Sequence, residues 1–154
     1  MYTAVLFLHS WIRWIVLIAA VVAVARAWKG SGAGGGAFGP TDRRAATIFV
    51  MSLNVQFLLG LMLYAFLSPI THAAFDNFGA AMKDAVLRFF AVEHTLLAVA
   101  AIAMAHIGKS RARKAPNDRA RVRQMAIFFT LSLVLLLIAI PWPGRAMGRA
   151  LFRL

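Results

Sequence analysis

Apolar residues in this chain fall in long unbroken blocks. They form neither the short alternation of a half-buried strand nor the stripe of a soluble helix. A helix crossing about 30 Å of hydrocarbon needs roughly 20 mostly apolar residues. Four blocks are near or above that length: about Ala4 to Trp28, Ala45 to Leu67, Val86 to Ile107 and Met125 to Trp142. They far exceed the ~10-residue alternating segments of a membrane barrel. The pattern predicts an all-α, four-transmembrane-helix bundle forming a single integral membrane domain over residues 1–154. The first block has no charged N-terminal region and runs past Arg13 to Ala25, so it is expected to be a retained helix and not a cleaved leader.

The connections differ in kind. Residues 30–39 hold six Gly and read as a flexible linker, and Pro40-Thr41-Asp42 then supplies a stop and an N-cap for helix two. Ser68-Pro69 ends helix two. Residues 70–85, with His72, Asp76, Lys83 and Asp84, read as a mixed loop with a solvated His72, and 109–123 reads as a strongly basic loop.

Composition agrees with a membrane protein. The chain is 62% hydrophobic and 14% charged, with a mean hydropathy of +0.76. A soluble domain is about 45–50% apolar and about 25% charged. Disorder is excluded on the same ground. The net charge of +12 would suit nucleic acid, but the basic residues lie between apolar runs and form no soluble basic domain. Their distribution reports topology instead. Arg26, Lys29, Arg43, Arg44, Lys109, Arg111, Arg113, Lys114, Arg119, Arg121 and Arg123 flank the first and third connections, whereas the middle one has Lys83 and Arg88. The positive-inside rule then places both termini outside, N-out and C-out. Trp11, Trp14, Tyr64 and Trp142 fall toward the outer interface and Trp28 toward the inner one. In the tail, Arg145, Arg149 and Arg153 recur every four residues opposite Met147, Leu151 and Leu154. This fits a short amphipathic helix on the outer membrane surface, or a basic end held near lipid phosphates.

Ionisable groups inside a spanning helix cost roughly 2.5–3.5 kcal/mol each on insertion scales, so each calls for a reason. Here they are His9, Arg13, Glu93, His94 and His106, with Arg88 at the edge. At 1.5 Å per residue, His9 lies roughly 10 Å along helix one and His94 about 12 Å along helix three. Both helices start outside, so the two imidazoles reach one level in the outer half. Two such His can be the axial ligands of a haem b, which needs no Cys; the chain has none, which excludes disulfides, thiolate metal sites and covalent haem attachment. His106 lies near the inner end with no second His to meet. Arg13, one helical turn from His9, is expected to pair with Glu93. Alternatively Arg13, Arg88 or Arg145 meets the haem propionates.

Helix two carries Ser52, Gln56, Gly60, Tyr64 and Ser68 at every fourth position. Such a stripe reads first as a packing face. As a pocket, Gly60 would leave room for a flat macrocycle that Gln56 and Tyr64 line. Ala98, Ala101, Ala105 and Gly108 read as a close-packing seam on helix three. Two further functions stay open on the residues alone. One is a non-catalytic assembly or structural subunit whose polar cluster fixes helix register. The other is a small proton-coupled transporter using Glu93, although no inverted repeat supports it. No phosphate loop, nucleophile elbow or H-E-x-x-H motif occurs.

The ordered set His9-Ser10, Arg13-Trp14, Gln56, Gly60, Leu63-Tyr64, Ser68-Pro69, Arg88-Phe89, Glu93-His94, His106-Ile107-Gly108 and Pro141-Trp142-Pro143 resembles a family of small four-helix bacterial membrane proteins labelled "cytochrome B". The resemblance spans nearly the whole chain. It implies a bacterial inner-membrane protein with haem b, an electron carrier or the membrane subunit of a redox complex, working with quinone or another redox subunit. Family members carry a His two residues before the helix-two Gln; here that position is Asn54. With no second cofactor motif, so small a chain is not expected to be a complete enzyme.

Overall fold

The computed structural model describes residues 1–32 and 37–152. In chain order its helices are α1 (Tyr2–Ser31), α2 (Pro40–Leu67), α3 (Pro69–Asp76), α4 (Phe78–Ala81), α5 (Ala85–Arg113) and α6 (Asp118–Ala139). No strand occurs among the described residues. Four of the helices, α1, α2, α5 and α6, are long and apolar enough to cross a membrane. α1 packs against α2 and α6, and α5 against α6, while α2 meets α5 over a smaller area. α1 and α5 therefore face each other across a diagonal. Short connections make successive long helices antiparallel. The α3–α4 segment and the tail thus share one end of the bundle, and the basic connections share the other.

α1, α2 and α5 outrun their apolar blocks, whereas α6 begins well before Met125 but stops at Ala139, short of the expected Trp142, because Pro141 and Pro143 cannot continue it. α2 begins at Pro40, not 45: proline is comfortable in a first turn, and Asp42 Oδ2 accepts the Gly39 N–H at 3.0 Å. Asp42 is thus the third residue of the helix and Gly39 its N-cap. At the other basic connection α5 runs to Arg113 and α6 starts at Asp118, so most of the expected loop 109–123 is helical. Asn117 caps α6 by accepting from Ala120 N at 2.8 Å, and Arg121 Nε donates to Ala112 O at 3.2 Å across the turn. Residues 70–85, expected as a loop, form α3 and α4, with Asn77 and Asp84 capping α4 and α5. Residues 33–36 of the glycine-rich linker lie outside the described residues.

The basic end of the bundle is solidly packed. Ala20, Ala23, Ala27, Ala46, Ala105, Ala112 and Ala126 let the helices approach, and Phe49 and Phe129 fill the centre edge to face at 5.2 Å. The expected seam holds at Ala101, Ala105 and Gly108, all buried. A Cβ added to Gly108 would stand 2.6 Å from Phe128 Cβ of α6, and Ser132 Oγ donates to Ala101 O at 2.7 Å. Ala98 instead lines a cavity at the opposite end.

The tail departs from expectation. Over its described residues it is no helix but a series of turns folded back on the bundle. Gly144 makes the reversal at φ 88°, a conformation that excludes most side chains. Arg149 N closes the loop on Pro141 O at 3.0 Å. Arg153 and Leu154 lie outside the described residues.

Candidate functional site

At the tail end the four helices part around a cavity of about 250 Å³, lined by His9 and Arg13 from α1, Gln56, Gly60 and Tyr64 from α2, His94 from α5, Ala139 from α6, and Arg149 from the tail. The diagonal placement of α1 and α5 brings His9 and His94 opposite each other, edge to face, with ring centres 6.4 Å apart and planes inclined at 71°.

Proline chemistry and two wide turns set the His94 ring. In an uninterrupted helix the carbonyls of Leu137 and Ala139 would accept from residues 141 and 143, but both are proline and have no N–H. Trp142 Nε1 takes the first carbonyl at 2.8 Å, and His94 Nδ1 donates to the second at 2.8 Å. That bond fixes the Nδ1–H tautomer and leaves Nε2 with its lone pair. Immediately before His94, residues Phe89–Glu93 form a π-turn in which His94 N reaches back to Phe89 O. A second π-turn, Leu63–Leu67, ends α2 where Pro69 withholds its N–H. Tyr64 Oη ties the two together by donating to Ala91 O at 2.9 Å. A wide turn rotates everything after it by about 100° relative to an unbroken helix. Arg88 and Glu93, five residues apart across the turn, therefore share a face and pair with each other, and His94 turns inward.

On α1, His9 Nε2 lies 3.3 Å from Gln56 Nε2. In this orientation the amide donates to the ring, while His9 Nδ1 and Gln56 Oε1 are buried and make no hydrogen bond among the described residues. Turning the amide over lets Oε1 accept from a protonated Nε2 and leaves Nδ1 a bare lone pair; the heavy-atom positions are the same. A Cβ added to Gly60 would stand 3.1 Å from His9 Cε1, so the glycine makes the room the ring occupies.

The expected Arg13–Glu93 pair does not form. Arg13 Nη2 donates to Leu151 O in the tail at 2.6 Å, beside Trp14 Nε1 at 3.3 Å from the same oxygen. Glu93 Oε1 accepts from Arg88 Nε at 2.8 Å, and neither partner lines the cavity. A carbonyl delivered by the folded-back tail thus serves Arg13, and the π-turn keeps Glu93 with Arg88. Arg145 also lies away from the cavity, whereas Arg149, which sequence reasoning passed over, lines it with its guanidinium 5.2 Å from the centre of the Phe90 ring. The readable signal was Pro141-Trp142-Pro143-Gly144, a chain reversal that returns the tail to the bundle. Gln56, Gly60, Tyr64 and Ser68 line the cavity, while Ser52 donates to Phe49 O at 3.0 Å within its own helix. His106 does have a partner: its Nε2 lies 2.8 Å from Asn54 Oδ1 on the outer face of α2 and α5. His72 is exposed on α3.

The arrangement brings two imidazoles from opposite helices to the lining of a largely apolar cavity that Arg13 and Arg149 also line. Among the described residues no group of three His, Asp or Glu side chains gathers as a metal site. No protein-family model matches the chain, and no curated protein or solved structure is significantly similar to it.

Proposed function

We propose that this chain is a b-type haem protein of the membrane, an electron carrier or the membrane subunit of a redox complex, with His9 and His94 as the axial ligands. The observation that carries the reading is the facing pair of imidazoles, 6.4 Å apart between ring centres, across the cavity. Two coaxial imidazoles, each about 2 Å from one metal, have ring centres roughly 6 Å apart. A metal ion held by protein alone takes three or four side chains, whereas iron that brings four nitrogens of its own needs only two. The haem supplies one-electron chemistry when bound.

The chain's own residues suit that role. Ala139 O holds His94 in the tautomer that presents Nε2, the kind of outer contact that orients a ligating imidazole. Gly60 clears space beside His9, and Tyr64 braces the wide turn that aims His94. Glu93, paired with Arg88 away from the cavity, gives no support to transport through it. The charge bias favours both termini outside, and the resemblance to the "cytochrome B" proteins favours a bacterial inner membrane and quinone or another redox subunit as partner.

The test is to purify the protein in detergent from haem-replete cells and record haem content and the reduced-minus-oxidised spectrum. The expected outcome is one haem per chain with a sharp α band of the low-spin b type. A chain that is folded but colourless, and that takes up no added haemin, rules the proposal out.

A further inference from the structure

The walls of the cavity are unequal. Toward the basic end Phe49 and Phe129 fill the bundle, and at the tail end buried Thr71 of α3 and Pro141 stand over the cavity. Close contacts join α1 to α2 and α6, and α5 to α6, but α2 and α5 meet over a smaller area. Two hydrogen bonds pin that seam. Tyr64 Oη donates to Ala91 O at 2.9 Å near the tail end, and His106 Nε2 lies 2.8 Å from Asn54 Oδ1 toward the basic end. Between the pins the cavity is lined by Phe57 and Leu61 from α2 and by Thr95, Ala98 and Val99 from α5. The two helices run antiparallel, so seven residues from Asn54 and seven from His106 bring Leu61 and Val99 to one level. Both line the cavity, and both are exposed, at 47% and 45%. We infer that the cavity opens sideways to the bilayer between Leu61 and Val99, and that its ligand, a flat apolar macrocycle dissolved in the membrane, enters and leaves edgewise there. The identity of the ligand rests on the haem reading; the opening does not.

The physical case is a comparison of routes. A side chain that bounds a cavity and is also exposed leaves a wall one side chain thick. Moving Leu61 or Val99 aside is a rotamer change that breaks no hydrogen bond. Parting α5 from α6 would instead break the Ser132–Ala101 bond and separate Gly108 from Phe128. Entry from water would lift the tail, which Arg149 N ties to Pro141 O. An apolar ring already in hydrocarbon also gains nothing by first passing through water. A residue in the doorway acts on the barrier, so it slows or speeds entry and exit in the same proportion and leaves affinity little changed.

Two experiments on the full-length protein in phospholipid vesicles test this, one of them independent of haem. Because the chain has no Cys, Ala98→Cys carries a single nitroxide inside the cavity. Power saturation should show strong relaxation by oxygen dissolved in the bilayer and little by a water-soluble nickel chelate. Greater access of the chelate means that the cavity opens to water, and access of neither means that it is closed; either overturns the inference. The second experiment times the uptake of haemin from the vesicle membrane. Leu61→Trp with Val99→Trp should slow uptake and release alike by roughly tenfold or more, and Leu61→Ala with Val99→Ala should speed both. A short bis-methanethiosulfonate bridge across Leu61→Cys and Val99→Cys, formed on the folded protein, should block uptake, whereas either single cysteine treated in the same way should load normally. Uptake at the wild-type rate in the bridged protein overturns entry by this route. A wild type that takes up no haemin refutes the haem reading, and the nitroxide then decides the opening alone.

Discussion

His9 and His94 meet because helix rise is fixed. Counting 1.5 Å per residue from the first residues of α1 and α5 places them at one level, and the diagonal arrangement of the two helices does the rest. Depth was therefore legible in the sequence, but azimuth was not. Arg13 and Glu93 also share a depth, yet the π-turn at Phe89–Glu93 turns Glu93 toward Arg88, and nothing in the residue pattern announces that turn. One acceptor for Arg13 is a main-chain carbonyl, a group every residue carries, so sequence could not single it out. At Gly60 the fit can be probed directly. A Cβ there stands 3.1 Å from His9 Cε1, so Gly60→Ala should force the ring to shift by a few tenths of an ångström. Overpacking of this kind costs about 1–3 kcal/mol, so haemin affinity measured by titration should fall roughly 5- to 100-fold while the helices persist. Unchanged affinity would mean that His9 does not bear on the ligand.

The helices are legible as apolar runs, but their ends are not. A hydropathy pattern stops at the first charges, whereas α5 and α6 continue through them as far as capping allows, to Arg113 and from Asp118. At the opposite end of α6 the proline pair matters more than helix length. Restoring N–H groups with Pro141→Ala and Pro143→Ala together should let α6 add a turn and claim the Ala139 carbonyl from His94. Losing the outer partner of a ligating His typically costs 10–100-fold in affinity, and haemin titration of the double variant should register a loss of about that size. The α5–α6 seam is tested by Gly108→Val. Its Cβ would stand 2.6 Å from Phe128 Cβ, so the helices must separate at the tightest point of the bundle. Destabilisation of about 1–3 kcal/mol or more is expected in denaturant unfolding from mixed micelles. A variant as stable as wild type would show the seam to be loose.

Taken whole, the molecule is asymmetric along its length. Alanine and phenylalanine fill the basic end, and the other end opens around the imidazoles under the α3–α4 segment and the folded tail. The proposed topology, drawn from the charge bias, predicts the packed end inside and the cavity in the outer half of the membrane. A single cysteine in place of Lys83 should react with an impermeant maleimide on intact cells, and one in place of Lys114 only after permeabilisation; the reverse pattern would invert the protein. The four-helix architecture was legible from composition and block length, because hydrocarbon thickness dictates both. The tail was not, because an arginine at every fourth position fits a surface helix as well as a strap, and only the Pro-Trp-Pro-Gly turn separates the two. The central claim is one metal centre shared by α1 and α5, and electron paramagnetic resonance of the oxidised protein tests it most directly. Wild type should give a single low-spin ferric haem signal, lost in His9→Ala and lost equally in His94→Ala; a low-spin signal that survives either replacement, or a wild type without one, contradicts the account.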